Sequence, residues 1–93
     1  MTNPKGRRVP WPEGAIPVEI EKLLAAGDYC GPWLLKSRPF YMIRNPFDGE
    51  VGVIESPPHQ IVEEPDGALT VSPSIQYPNG GWHGYLKRGE WSQ

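Results

Sequence analysis

The 93-residue sequence predicts a small α+β domain, an antiparallel sheet of about five strands with one N-terminal helix packed on one face. Three observations lead there. Twelve prolines and 11 glycines punctuate the chain, a composition that favours turns and short strands over long helices. A single stretch, residues 17–26, carries apolar side chains at helical spacing. Beyond Gly31-Pro32 the chain breaks into short extended runs bounded by turn residues, the pattern of hairpins.

Residues 1–10 are polar and basic, and the run Thr2-Asn3-Pro4-Lys5-Gly6-Arg7-Arg8 offers nothing apolar to pack. They are expected to form a flexible tail, leaving residues 11–93 as the single domain. Pro17 suits the first turn of a helix, where its missing N–H costs little, and Glu19 and Glu21 follow near the positive end of the helix dipole. Ile20, Leu23 and Leu24 fall at i, i+3 and i+4, and Gly27 is placed to end the helix. About ten residues of helix are marginal alone, so this stripe must lie on a sheet.

The expected strands follow in order. Residues 33–36 and 40–44 are joined by Ser37-Arg38-Pro39, and Val51–Glu55 comes after the Asp48-Gly49 turn. Gln60–Glu63 meets residues 68–72 across Pro65-Asp66-Gly67. Residues 84–87 turn at Arg88-Gly89 into a short Glu90-Trp91 return, a sixth extended element. Leu69 and Val71 share one face of their strand while Thr70 and Ser72 share the other, so the first pair is assigned to the core, beneath the helix stripe.

Four Trp, four Tyr and two Phe supply the aromatic mass of a small core. Nine basic residues against eleven acidic give a net charge of −2, so no global positive field draws in nucleic acid. The lone Cys30 excludes an internal disulfide, which points to a reducing, cytoplasmic setting. No apolar run approaches the roughly 18 to 20 residues that span a bilayer. A monomer is expected, or a weak dimer through an unpaired edge strand.

Cys30, His59 and His83 have the atoms for a soft metal, yet a structural zinc site takes four ligands, often two from a short Cys knuckle, and the sequence has none. No metal or cofactor is therefore expected; the alternative is a zinc-binding structural or catalytic protein using these three residues. No Gly-x-Ser-x-Gly elbow is present, and Ser72, Ser74 and His83 would meet only through the fold, so the chain is read as a non-enzyme. Glu63, Glu64 and Asp66 read as charges that keep a hairpin tip solvated, and Gly80-Gly81 lacks the following helix and Lys-Ser/Thr of a phosphate loop.

The candidate binding residues are Trp82, His83 and Tyr85, together with Asn79 in the adjoining Pro78-Asn79-Gly80-Gly81 loop. In an extended segment His83 and Tyr85 point to one face and Trp82, Gly84 and Leu86 to the other, making Trp82 and Leu86 the packers and His83 and Tyr85 the displayed pair. A third class, nucleic-acid binding, would use Lys5, Arg7 and Arg8 on phosphate.

Three blocks in this order, Pro57-Pro58-His59-Gln60-Ile61, then Glu63-Glu64-Pro65-Asp66-Gly67-Ala68-Leu69-Thr70-Val71-Ser72-Pro73-Ser74-Ile75, then Gly81-Trp82-His83-Gly84-Tyr85-Leu86-Lys87-Arg88-Gly89-Glu90-Trp91, resemble an uncharacterised bacterial and phage family, domain of unknown function 6527. The resemblance covers residues 57–91. It implies a small metal-binding protein whose Cys-Pro-Cys-Gly type knuckle stands ahead of the Pro-Pro-His segment. This chain departs there, with Arg44-Asn45-Pro46-Phe47-Asp48-Gly49 in that place and no thiol. Only His83 and His59 match ligand positions. The resemblance thus implies a metal-free relative in which Phe47 and its neighbours replace the zinc cross-link, and in which Ser72-Pro73-Ser74-Ile75 is a structural corner whose hydroxyls bond loop backbone. It also implies a phage or prophage setting, where a small accessory domain binds a host protein.

Overall fold

The computed structural model describes residues 3–35, 38–56, 59–77 and 82–93. In chain order the elements are β1 (Arg7–Val9), α1 (Pro17–Leu23), β2 (Asp28–Leu35), β3 (Arg38–Arg44), β4 (Val51–Glu55), β5 (Gln60–Glu63), β6 (Leu69–Gln76), β7 (His83–Lys87) and β8 (Glu90–Ser92). The class is α+β, as expected, but the strands form two four-stranded sheets, β1-β2-β3-β4 and β5-β6-β7-β8, rather than one sheet of five. Every pairing is antiparallel except β1 with β2. The physical reason is visible in β3, where Phe40, Tyr41, Met42 and Ile43 are consecutive and all buried. Such a run needs cover on both faces of its sheet.

One cover is the second sheet. Tyr29, Tyr41, Ile43 and Ile54 share a buried cluster with Leu69, Val71, Ile75, Leu86 and Trp91. The other cover is α1, whose Ile20, with Leu24 just beyond its end, clusters with Cys30, Phe40 and Met42 on the opposite face of the first sheet. At the margin of that cluster Trp11 stacks on Trp33, centroids 4.8 Å apart. The layers therefore run helix, sheet, sheet. This corrects the expected docking of the helix stripe onto Leu69 and Val71, which face the first sheet instead; Leu23, the third stripe residue, is 51% exposed.

The helix is also shorter than residues 17–26. Its start is held by Glu19 Oε1, which accepts the Ile16 N–H at 3.0 Å. It ends at Leu23 because Leu24 is already extended, and the carbonyls left over have a partner from another element. Arg44 at the end of β3 donates from Nη2 to Glu21 O (3.0 Å), from Nε to Leu24 O (2.7 Å) and from Nη1 to Gly49 O (2.6 Å). Asp28, buried, accepts the Ala25 N–H and Arg7 Nη2 on one oxygen, each at 2.9 Å. Gly27, with φ of 90°, is the left-handed turn into β2 rather than the helix cap.

The opening residues, expected as a tail, are built into the fold. Arg7–Val9 lies parallel to β2, and just before it the chain meets β8: the Gly6 N–H donates to Gly89 O at 2.6 Å and the Trp91 N–H to Pro4 O at 2.9 Å. Arg8 donates to Gly31 O of the first sheet (2.6 Å) and to Gly67 O in the β5–β6 turn of the second (3.1 Å), and pairs with Glu63 of β5. The segment thus joins the two sheets. A Cβ on Gly6 would stand 2.5 Å from the Tyr29 ring and 2.9 Å from both Gly27 O and Trp91 Nε1, so the crossing requires glycine.

Candidate functional site

With α1 over part of the first sheet, the outer face of the second carries no helix among the described residues. It is built by alternation: in β7 Gly84 and Leu86 point inward, while His83, Tyr85 and Lys87 are exposed. Tyr85 is 46% exposed, and its ring centroid lies 6.2 Å from that of His83. On the neighbouring strand Pro73 has no N–H to give a ladder, and the β6–β7 register shifts between Val71 and Ile75. Beside this irregularity lies a groove of about 340 Å³ lined by Thr70, Ser72, Pro73, Tyr85, Lys87 and Ser92. Three hydroxyls, one phenol and one ammonium line it, while Val71 and Leu86, which also border it, turn their side chains inward to the core.

The four sequence-derived binding residues divide. His83 and Tyr85 stand on this face as parity requires. Trp82 does not: it is 7% exposed, stacked on Phe47 at 5.7 Å and edge-on to Tyr77 and Trp91 at 6.1 and 5.7 Å. Its assignment as a contact residue is corrected to a core role, consistent with its inward parity. Asn79 and the rest of the 78–81 loop lie outside the described residues.

Ser74 brings the two histidines together. His83 Nε2 lies 3.0 Å from Ser74 Oγ, and His59 Nε2 lies 2.9 Å from the Ser74 carbonyl. A carbonyl only accepts, so neutral His59 carries its proton on Nε2, leaving Nδ1 as a buried acceptor without a partner among the described residues. The hydroxyl of Ser74, which lies within β6, therefore meets the His83 side chain of β7 rather than bonding loop backbone at a corner. Ser74 and His83 have the contact of a nucleophile and its base, but on an open sheet face, and among the described residues nothing accepts from His83 Nδ1 to fix the ring.

Cys30 is not part of this group. It is buried in the helix-side cluster on the far face of the first sheet, where burial pushes its thiol pKa up and disfavours the thiolate a metal needs. Among the described residues no three His, Cys, Asp or Glu side chains converge as metal ligands, so the alternative zinc set of Cys30, His59 and His83 is not assembled. The Arg44–Gly49 loop is held by Asn45. Its Oδ1 accepts the Phe47 and Asp48 N–H groups at 3.0 Å each, and its amide donates to Asp48 Oδ1. Arg44 and Asn45 were not singled out from the sequence, although Asn-Pro-x-Asp-Gly is a turn signal in which the asparagine bonds its own following backbone. Tyr77 closes over the loop, donating from its hydroxyl to Glu50 O at 2.8 Å.

Of the three cations considered for phosphate, Arg7 pairs with Asp28 and Arg8 with Glu63, while Lys5 is exposed. No helix among the described residues is long and apolar enough to cross a membrane. No protein-family model, curated protein or solved structure matches the chain.

Proposed function

We propose that this chain is a non-enzymatic binding domain that engages a protein partner through the outer face of its second sheet, with Tyr85 and His83 as the contact residues. The observation that carries the reading is the half-exposed Tyr85 ring beside the groove at the β6–β7 irregularity. An aromatic anchor flanked by hydroxyls offers apolar area and hydrogen-bonding partners together, as protein interfaces do. The resemblance of residues 57–91 supports a phage- or prophage-encoded accessory role in a bacterial cytoplasm. It also supports a metal-free member of a metal-binding family, with the Asn45 hydrogen bonds and the Phe47–Trp82 stack standing in for the metal cross-link.

The test is a quantitative pull-down from bacterial lysate with wild type, Tyr85→Ala, His83→Ala and, as a control on the other sheet, Val53→Ala, which removes an exposed valine of β4. If Tyr85 is a hot spot, its truncation lowers recovery of a shared partner at least about tenfold at unchanged melting temperature, and Val53→Ala leaves recovery intact. Equal recovery by all four proteins would remove this face as the contact.

A further inference from the structure

We propose that the cleft between the N-terminal segment and the β7–β8 turn binds a small multivalent oxyanion of the diphosphate type, with Arg88 and Lys5 as its principal cations. The cleft has a volume of about 450 Å³, within the range of sites for a single small molecule. Lys5, Arg7, Arg8 and Arg88 line it together with two carboxylates, Asp66 and Glu90, and since Arg7 and Arg8 are already paired with Asp28 and Glu63, Lys5 and Arg88 are the cations available to a ligand.

These cations are not equally engaged. The Arg8 guanidinium is tied to Glu63, Gly31 O and Gly67 O. Arg7 gives Nη2 to Asp28 while its side chain stays 71% exposed, leaving donors turned to solvent. Arg88 and Lys5 have no side-chain acceptor among the described residues. Of the two carboxylates, Asp66 already accepts the Ala68 N–H at 3.0 Å.

Arg88 occupies a position that its own backbone does not favour. Its φ is 49°, and Gly89 follows at 77°, the two left-handed residues of a tight hairpin turn for which Asn-Gly is the preferred pair. The fold uses the Arg88 main chain, whose N–H donates to Thr70 Oγ1 at 2.9 Å, while its guanidinium has no acceptor among the described residues. A residue held in a disfavoured conformation with an unengaged charged side chain facing a cleft is a mark of function. Gly89 keeps the floor open, since a Cβ there would stand 3.1 Å from the Tyr29 hydroxyl.

The experiment titrates the full chain with inorganic pyrophosphate, read by calorimetry and by melting temperature, for wild type and four variants. Arg88→Asn supplies the residue the turn prefers, so the free protein melts at the same or a higher temperature while affinity falls at least about tenfold through loss of a charge-assisted bond. Lys5→Gln weakens binding, and Glu90→Gln tightens it by removing a repulsive carboxylate. Lys22→Gln on α1 has no effect. The proposal is overturned if pyrophosphate gives no saturable heat or thermal shift. Arg88→Asn binding as tightly as wild type, or Lys22→Gln weakening binding as much as Lys5→Gln, would also overturn it, the latter by reducing the effect to general charge.

Discussion

The two sheets are of equal strand number and meet across one core, yet they differ in what lies on their outer faces. The first is a middle layer: Tyr41 and Ile43 of β3 face the second sheet, and Phe40 and Met42 face the helix side. The second sheet is an outer layer, with Leu69, Val71 and Leu86 inside and Thr70, Ser72, His83, Tyr85 and Lys87 outside. An unbroken apolar run marks a strand covered twice, and strict alternation marks a strand covered once. The difference decides where function has room. Residues of β3 are committed to packing, while on the outer face of the second sheet Ser72, Tyr85 and Lys87 present their side chains to solvent, His83 being held to Ser74 and Thr70 to Glu64 and the Arg88 N–H.

The largest effect expected from this comparison is in the inter-sheet core. Trp91 is fully buried there, and its Nε1 donates to Gly27 O at 3.0 Å, tying β8 to the turn before β2. Trp91→Ala should cost about 3–5 kcal/mol, a large part of the roughly 5–14 kcal/mol available to a chain of this length. Trp11, half-buried at the edge of the helix-side cluster, should cost about 1–2 kcal/mol as Trp11→Ala, because less area is lost and solvent can refill the site. Urea midpoints for the two variants check the order. A larger loss at Trp11 would mean that the helix-side cluster, not the inter-sheet core, holds the domain together.

Much of this was legible in the sequence, and the gaps have identifiable causes. Val51–Glu55 and Gln60–Glu63 were bounded correctly because turn residues flank both, and the parity of residues 82–86 placed His83 and Tyr85 outward. The second sheet is signalled by Phe40-Tyr41-Met42-Ile43, because a run without alternation asks for two covers and a single sheet under one helix would leave β3 with only one. The opening segment was misread because it joins the sheets through backbone groups and arginine side chains rather than through apolar area, which a hydrophobic reading does not see. Arg44 is hidden for the same reason, since its three acceptors are backbone carbonyls, two of them in the helix segment far earlier in the chain. In the candidate site, the meeting of His59 and His83 at Ser74 depends on the β6–β7 register shift, which no local spacing encodes.

Arg44 gives the next largest effect and sharpens the comparison, because it fixes the cover of the first sheet. Arg44→Ala leaves the carbonyls of Glu21, Leu24 and Gly49 without their donor, and the expected cost is about 2–3 kcal/mol. Arg44→Lys offers a single ammonium in place of a planar fork and should recover only part of this. Amide hydrogen exchange separates local from global loss: protection should fall first in α1 and the Asn45 loop while β6 and β7 stay protected. Uniform loss across both sheets would mean that helix and sheet unfold as one unit and that the layers are not energetically distinct.

The smallest effect is alkaline, and it distinguishes the two clusters by their titrating groups. Burial raises the pKa of Cys30, on the helix side, above its ordinary 9.0, and raises those of Tyr29 and Tyr41, in the inter-sheet core, above 10.0. In each case the unfolded chain releases its proton at lower pH than the folded one, so above the ordinary value the folded state holds more protons and stability falls as pH rises. The thiol contribution is fully present below 9.0 and the phenol contributions below 10.0, and each is lost as pH climbs through the raised folded value. Urea midpoints measured from pH 7 to 11 should therefore begin to decline near the thiol's ordinary value in wild type. In Cys30→Ala, less stable throughout because of its cavity, the decline should begin near that of the phenols. An identical onset in both proteins would show that the helix-side thiol is exposed to solvent on the timescale of titration, and the covered face of the first sheet would then be less closed than its packing indicates.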